Sequence, residues 1–209
     1  MRDQINIKNL KILIVSPGTG YSTLERKSIS DCQYLRDIGG NPILYCIKDS
    51  LIDRAADKLS LPRMYFKGQE NNRFFMIKFI FDLRNIIKTE NFDLVHCYHF
   101  KSLWGASLSL LRYPKVPLFI TVNDFLNKPI RDLVRKWLFK RVDTVLTFTE
   151  STRIIAKTSL PISAAKIKNI GVGVENYYQY KNQDSSERVI GSIITSESEF
   201  DNLRTIIFT

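Results

Sequence analysis

The stretch Pro17-Gly18-Thr19-Gly20, followed at once by Tyr21, Ser22 and Thr23, is the first in the chain whose residue types suit chemistry. Backbone N–H groups in a Gly-rich turn that opens a helix can hold an anion, because the turn gathers donors and the helix dipole favours negative charge there. As a dinucleotide fingerprint the stretch is incomplete, since Thr23 stands where the third Gly belongs. Asp49, after the next apolar run, is placed like a ribose-binding acid and keeps that reading open. The plain alternative is a turn whose glycines serve backbone geometry.

His96-Cys97-Tyr98-His99 holds both histidines of the chain. On a strand His96 and Cys97 point to opposite faces, and no further ligands stand at a matching spacing, so a metal site is not expected. His96 reads as a satisfied buried side chain and His99 as a ligand-facing one. Asn123-Asp124 and Thr149-Glu150-Ser151 each follow an apolar run. Either group could bind sugar hydroxyls or cap the next helix, and capping is the expected role of Thr149 and Ser151. No Ser-His-Asp set and no pair of carboxylates emerges.

Charge is concentrated. Residues 127–141, NKPIRDLVRKWLFKR, carry six Lys/Arg against the single Asp132, a surplus of five within a net charge of +10. Such a chain favours anionic partners. Val134, Trp137 and Leu138 read as one apolar stripe, beside the cations Arg131, Arg135, Lys136 and Lys140. This is the composition of a helix at an anionic lipid surface; the alternative is a core-facing helix with a solvated basic back. Nucleic acid is not an expected partner, because no recognition motif or aromatic platform accompanies the charge.

These groups need a scaffold, and the apolar pattern supplies one. Strand-type runs occupy residues 10–16, 42–47, 62–66, 93–98, 117–122, 143–148 and 166–172, with helical patterns from Ile29 to Ile38, over 74–88, around 104–111, in the basic segment and over 151–160. Val, Ile and Leu strands alternating with helices predict an α/β fold: a Rossmann-like, doubly wound parallel sheet. Right-handed crossovers put Gly18, Gly20, Tyr21, His99, Asn123, Asp124, Thr149 and Glu150 on one rim, where open α/β sheets bind ligands. The hydrophobic fraction of 44% is that of a folded globular chain. No apolar run approaches the roughly 20 residues of a membrane span. The N-terminus mixes charge into its first strand and reads as no signal peptide, and Cys32, Cys46 and Cys97 form no CxxC pair. A cytoplasmic location is expected, with the inner membrane face as a surface of contact. After Val174 the polar, tyrosine-rich residues 175–187 read as a linker, and 188–209 as a fresh strand and helix.

Four stretches, in this order, resemble the N-terminal half of GT-B glycosyltransferases of family 4: KILIVSPGTGYSTLER with a helix ending YLRDIGGNPILY, then FDLVHCYHF, PLFITVNDF and IKNIGVGVENYY. The last is similar to the Asn-Gly-Val-Asp segment that closes the first domain, here with Gly173, Val174 and Glu175. The resemblance implies an acceptor-binding first domain over 1–174 and, in 188–209, the first strand and helix of a nucleotide-sugar-binding second domain. It implies hexosyl transfer from a nucleotide sugar to a glycan or lipid-linked acceptor, with the nucleotide sugar as co-substrate and no other cofactor.

Two departures bear on mechanism. Asn123 stands where the family has a His near the reacting sugar, so it can hydrogen-bond but not titrate. Ile194-Thr195 and Phe200 stand where the family places cations on the donor diphosphate. With one wall of the cleft missing, transfer by this chain alone is not expected. Gly18, Gly20, Tyr21, Ser22, His99, Asp124 and Glu150, from the Gly-rich turn and the rim, are the expected substrate contacts. Other readings are a noncatalytic module for an anionic glycan or lipid and a dinucleotide-binding protein, and an uncovered face would favour self-association.

Overall fold

The structure is a computed structural model that describes residues 8, 10–66, 75–122, 129–130 and 132–171, all within one unit of the chain, Met1–Val172. Seven strands form one parallel sheet in the order β3-β2-β1-β4-β5-β6-β7. They are β1 (Lys11–Val15), β2 (Asn41–Ile47), β3 (Arg63–Phe66), β4 (Leu94–Cys97), β5 (Leu118–Thr121), β6 (Thr144–Thr147) and β7 (Ile167–Asn169). Between them run α1 (Thr23–Asp37), α2 (Leu51–Lys58), α3 (Phe75–Glu90), α4 (Leu103–Ser109), α5 (Leu133–Phe139) and α6 (Glu150–Ser159). The predicted doubly wound α/β fold is the observed one.

Order reverses between β1 and β4, which pair through Ile12–Leu94 to Val15–Cys97. At such a switch point the loops leaving the two strands diverge and open a crevice. Two helix layers cover the sheet. Ile29 and Cys32 of α1 with Ile52 and Ala56 of α2 pack on Ile12, Ile14 and Leu44 on one face. Phe79 and Leu83 of α3, Ala106 of α4, Phe139 of α5 and Ala156 of α6 pack on Leu13, Val15, Val95 and Val145 on the other. Cys32, Cys46 and Cys97 are all buried free thiols.

Local signals explain the boundaries. α1 stops at Gly39, whose φ of 89° is one that only Gly adopts without strain. The sequence pattern passes over α2. Its start is written in Ser50, whose hydroxyl accepts from the Asp53 N–H at 3.3 Å, but eight residues give too short a period to stand out. Helix α5 is shorter than the basic segment suggested. Leu138 and Phe139 turn inward while Leu133, Val134 and Trp137 are exposed, so Leu138 does not share a stripe with Val134 and Trp137.

Candidate functional site

At the switch point lies a cavity of about 960 Å³. The loop after β1 supplies Pro17 to Gly20 and Ser22, and the start of α1 supplies Leu24 and Glu25. The segment after β4 supplies His99, Phe100, Ser102 and Trp104; α3 supplies Phe75, Met76 and Phe79; α5 supplies Arg135. One wall is polar and one is aromatic.

The aromatic wall is set by close packing. Phe75 and Phe79 lie stacked with ring centroids 6.0 Å apart, and Phe66 meets Phe75 edge-on at 4.9 Å. Tyr45 anchors α3 by donating to Asp82 Oδ2 at 2.6 Å. Gly105 brings α4 onto α3, since a Cβ there would overlap the Phe79 ring. That approach sets the first turn of α4, and with it Trp104, beside Phe79.

The polar wall is built around Glu25, only 4% exposed. Its Oε2 accepts from the Ser22 N–H at 2.9 Å and from the Ser22 hydroxyl. Its Oε1 lies 3.1 Å from His99 Nε2. That separation is an ion-pair contact without hydrogen-bond geometry, so Nε2 is buried with no hydrogen-bond partner among the described residues. Burial alone would raise the Glu25 pKa. The Ser22 hydroxyl, Glu25's own backbone N–H, His99 and the Ser22 N–H outweigh it and hold the carboxyl below its ordinary value. A carboxylate thus stands behind an imidazole at the cavity wall.

Gly18 permits this arrangement. A Cβ there would overlap Glu25 Oε1 and lie 3.3 Å from His99 Nε2, whereas one at Gly20 would meet nothing. Neither residue is among the glycines with positive φ. Gly18 therefore serves close approach rather than backbone geometry. Because Glu25 already takes up donors at the start of α1, a pyrophosphate at that helix terminus would meet a buried negative charge. This argues physically against the dinucleotide reading.

Gly18, Gly20, Ser22 and His99 thus come together in the cavity, and Arg135, expected at a lipid surface, lines it too. Tyr21 does not line it; its ring lies 5.3 Å under the Arg26 guanidinium. Glu150, at the start of α6, is held by Arg153 Nε at 2.7 Å and is not a lining residue. Its pKa is lowered chiefly by that hydrogen bond. Thr149 caps α6 by accepting from the Thr152 N–H at 3.1 Å. Lys136, Trp137 and Lys140 are exposed and outside the lining. Asn123, Asp124 and Arg131 lie outside the described residues, as do the expected linker and the closing strand and helix.

His96 behaves as expected of a buried residue. Its Nε2 meets Thr121 Oγ1 at 2.8 Å, and burial, offset in part by Asp31, pulls its pKa down to about 4. Sequence reasoning did not single out Glu25 or Trp104. Ser22-Thr23-Leu24-Glu25 has the spacing of a capping box, the signal that could have found Glu25. Among the described residues no His/Cys/Asp/Glu group could hold a metal ion, and no helix is long and apolar enough to cross a membrane.

This architecture is shared with GT-B glycosyltransferases. A glycosyltransferase from Rickettsia africae superposes with a TM-score of 0.64 at 21% identity, over 79% of this chain and 44% of that one. HepE of Anabaena, in complex with UDP and glucose, gives 0.62 at 16% identity, over 96% and 50%. The lipopolysaccharide outer core galactosyltransferase WaaB in its apo form gives 0.55 at 16%, over 79% and 46%. The chain thus spans about half the length of these structures, or slightly less. No curated protein matches it in sequence. The profile of Glycosyltransferase Family 4 matches residues 32–176, and the chain belongs to that family.

Proposed function

We propose that the described domain is the acceptor-side wall of a hexosyltransferase that uses a nucleotide sugar, and that its cavity seats the acceptor. The observation that carries this reading is the buried Glu25–His99 contact, set beside an aromatic wall at the sheet's switch point. Aromatic faces take the apolar face of a sugar or a lipid chain, while the imidazole and Ser102 can hydrogen-bond hydroxyls. In transfer, the acceptor oxygen bonds to the sugar's anomeric carbon as the bond to the diphosphate breaks. An oriented acceptor lowers that barrier, and the leaving charge needs cations from a second wall. The described domain therefore binds acceptor and does not transfer by itself.

Isothermal titration tests this. UDP-glucose gives no heat with this chain alone and gives heat once a separately expressed donor-side domain of the same family is added. A glycan or glycolipid that binds the chain loses affinity with His99→Ala. Tight UDP-glucose binding by the chain alone, unaffected by His99→Ala, removes the acceptor-side assignment.

A further inference from the structure

The cavity wall carries one charge that seating an acceptor does not require. Glu25 is almost fully buried, yet it lines the space, and its carboxylate lies where the loop after β1 meets His99. A Cβ on Gly18 would overlap its Oε1, so the loop passes directly over the carboxylate with no side chain between. The other buried acid among the described residues, Asp53, faces Arg63 at 3.2 Å. No described Lys or Arg pairs with Glu25, and His99 is the one titratable side chain set against it. Across the cavity there is little to offset its charge. Arg135 is the one Lys or Arg in the described lining, and it is half exposed and itself 3.4 Å from Asp132. The aromatic wall adds no positive charge, but it suits the C–H face of a sugar ring.

We propose that Glu25 makes the cavity selective for an uncharged sugar: it rejects hexose units that carry a carboxylate or a phosphate and admits neutral ones. This deepens the acceptor reading given above and rests on it. An anion placed beside a buried carboxylate is disfavoured twice, by the hydration it gives up and by repulsion in a medium of low dielectric. The net charge of +10 acts in the opposite sense, because it draws anions towards the chain. Selection against them therefore has to be local, and Glu25 is where the wall can exert it.

Trp104 reports on the cavity, and in the full chain carrying Trp137→Phe it is the sole tryptophan. The probes are matched pairs: the methyl glycosides of glucose, galactose and mannose, and the corresponding methyl uronides, in which a carboxylate replaces the C6 alcohol. In fluorescence titrations at neutral pH, at least one hexoside is expected to bind about tenfold or more tightly than its uronide. Glu25→Gln, which keeps an acceptor for the Ser22 N–H, should bring that pair within about twofold, while Glu25→Asp keeps most of the preference. A uronide that binds as tightly as its hexoside overturns the selectivity and leaves the acceptor cavity standing. So does a Glu25→Gln chain of unchanged melting that retains the preference. Should Glu25→Gln melt early, salt decides. Raising NaCl from about 0.05 to about 0.5 M screens Arg135 and the other exposed charges but not a buried carboxylate, so the preference should persist or widen. Its disappearance overturns the assignment to Glu25. Silence of Trp104 towards every hexoside is a different failure, because it removes the sugar from the cavity and overturns both the selectivity and the acceptor reading beneath it.

Discussion

The two helix layers bury similar inner faces and present opposite outer ones. Helices α1 and α2 together carry five basic and five acidic residues. Their charges are taken up locally: Lys27 pairs with Asp31, and Arg63 reaches Asp53 at 3.2 Å and Asp57 at 2.6 Å. Tyr34, Leu51 and Leu59 are exposed there too, but among balanced charge. The α3–α5 layer has the cationic excess and the larger set of exposed apolar side chains. Packing on the sheet fixes only the inward positions of a helix. The outward ones are free to differ, and here the two surfaces differ in charge balance and in exposed apolar side chains.

The comparison breaks first if the inner faces are unequal. Phe79→Ala in the α3 layer should destabilise by about 3–5 kcal/mol and Ile52→Ala in the α2 layer by about 2–5 kcal/mol, read from urea unfolding. The next largest effect is that of pH through His96. Its folded pKa of about 4 lies below the ordinary 6.5, so the unfolded chain takes up a proton that the folded chain refuses. Stability is full above pH 6.5 and falls as pH drops towards 4, by roughly 3 kcal/mol over the window. His96→Gln, which keeps an amide for Thr121, should flatten that part of the melting profile.

Gly18→Ala forces a methyl into the Glu25 carboxylate and should destabilise by about 1–3 kcal/mol while disordering the His99 contact, visible as a shifted imidazole resonance. Smallest on stability are the outer charges. Lys136→Glu with Lys140→Glu, and Arg54→Glu with Lys58→Glu on α2, should each stay within about 0.5 kcal/mol of wild type. Only the α5 pair should change sedimentation with anionic vesicles. Equal loss from both pairs would reduce the contrast between layers to net charge.

The sheet was legible because each buried strand is a short run of Val, Ile and Leu between helical periods, and a parallel order follows from that alternation. Helix α2 was not, because its apolar residues Leu51, Ile52, Ala55 and Ala56 span barely two turns and two of them are small. Gly18 and His99 could be placed on one rim from strand order alone. Their contact through Glu25 could not, because it depends on a side chain folding back from the first turn of α1 into the loop before it. The inward turn of Leu138 was missed for a related reason: in a seven-residue helix packed on a neighbour, tertiary contact and not periodicity chooses the buried side.

The three thiols described within the sheet and α1 carry a practical consequence. Burial pushes Cys32 and Cys46 up to about 12 and Cys97 higher still, so almost none of the reactive thiolate exists at neutral pH. The folded chain is in effect silent toward maleimides. A cysteine introduced for Phe81 or Trp137 would be the one site to take a spin label or fluorophore, and its depth in a bilayer could be measured without first stripping the native sulfurs.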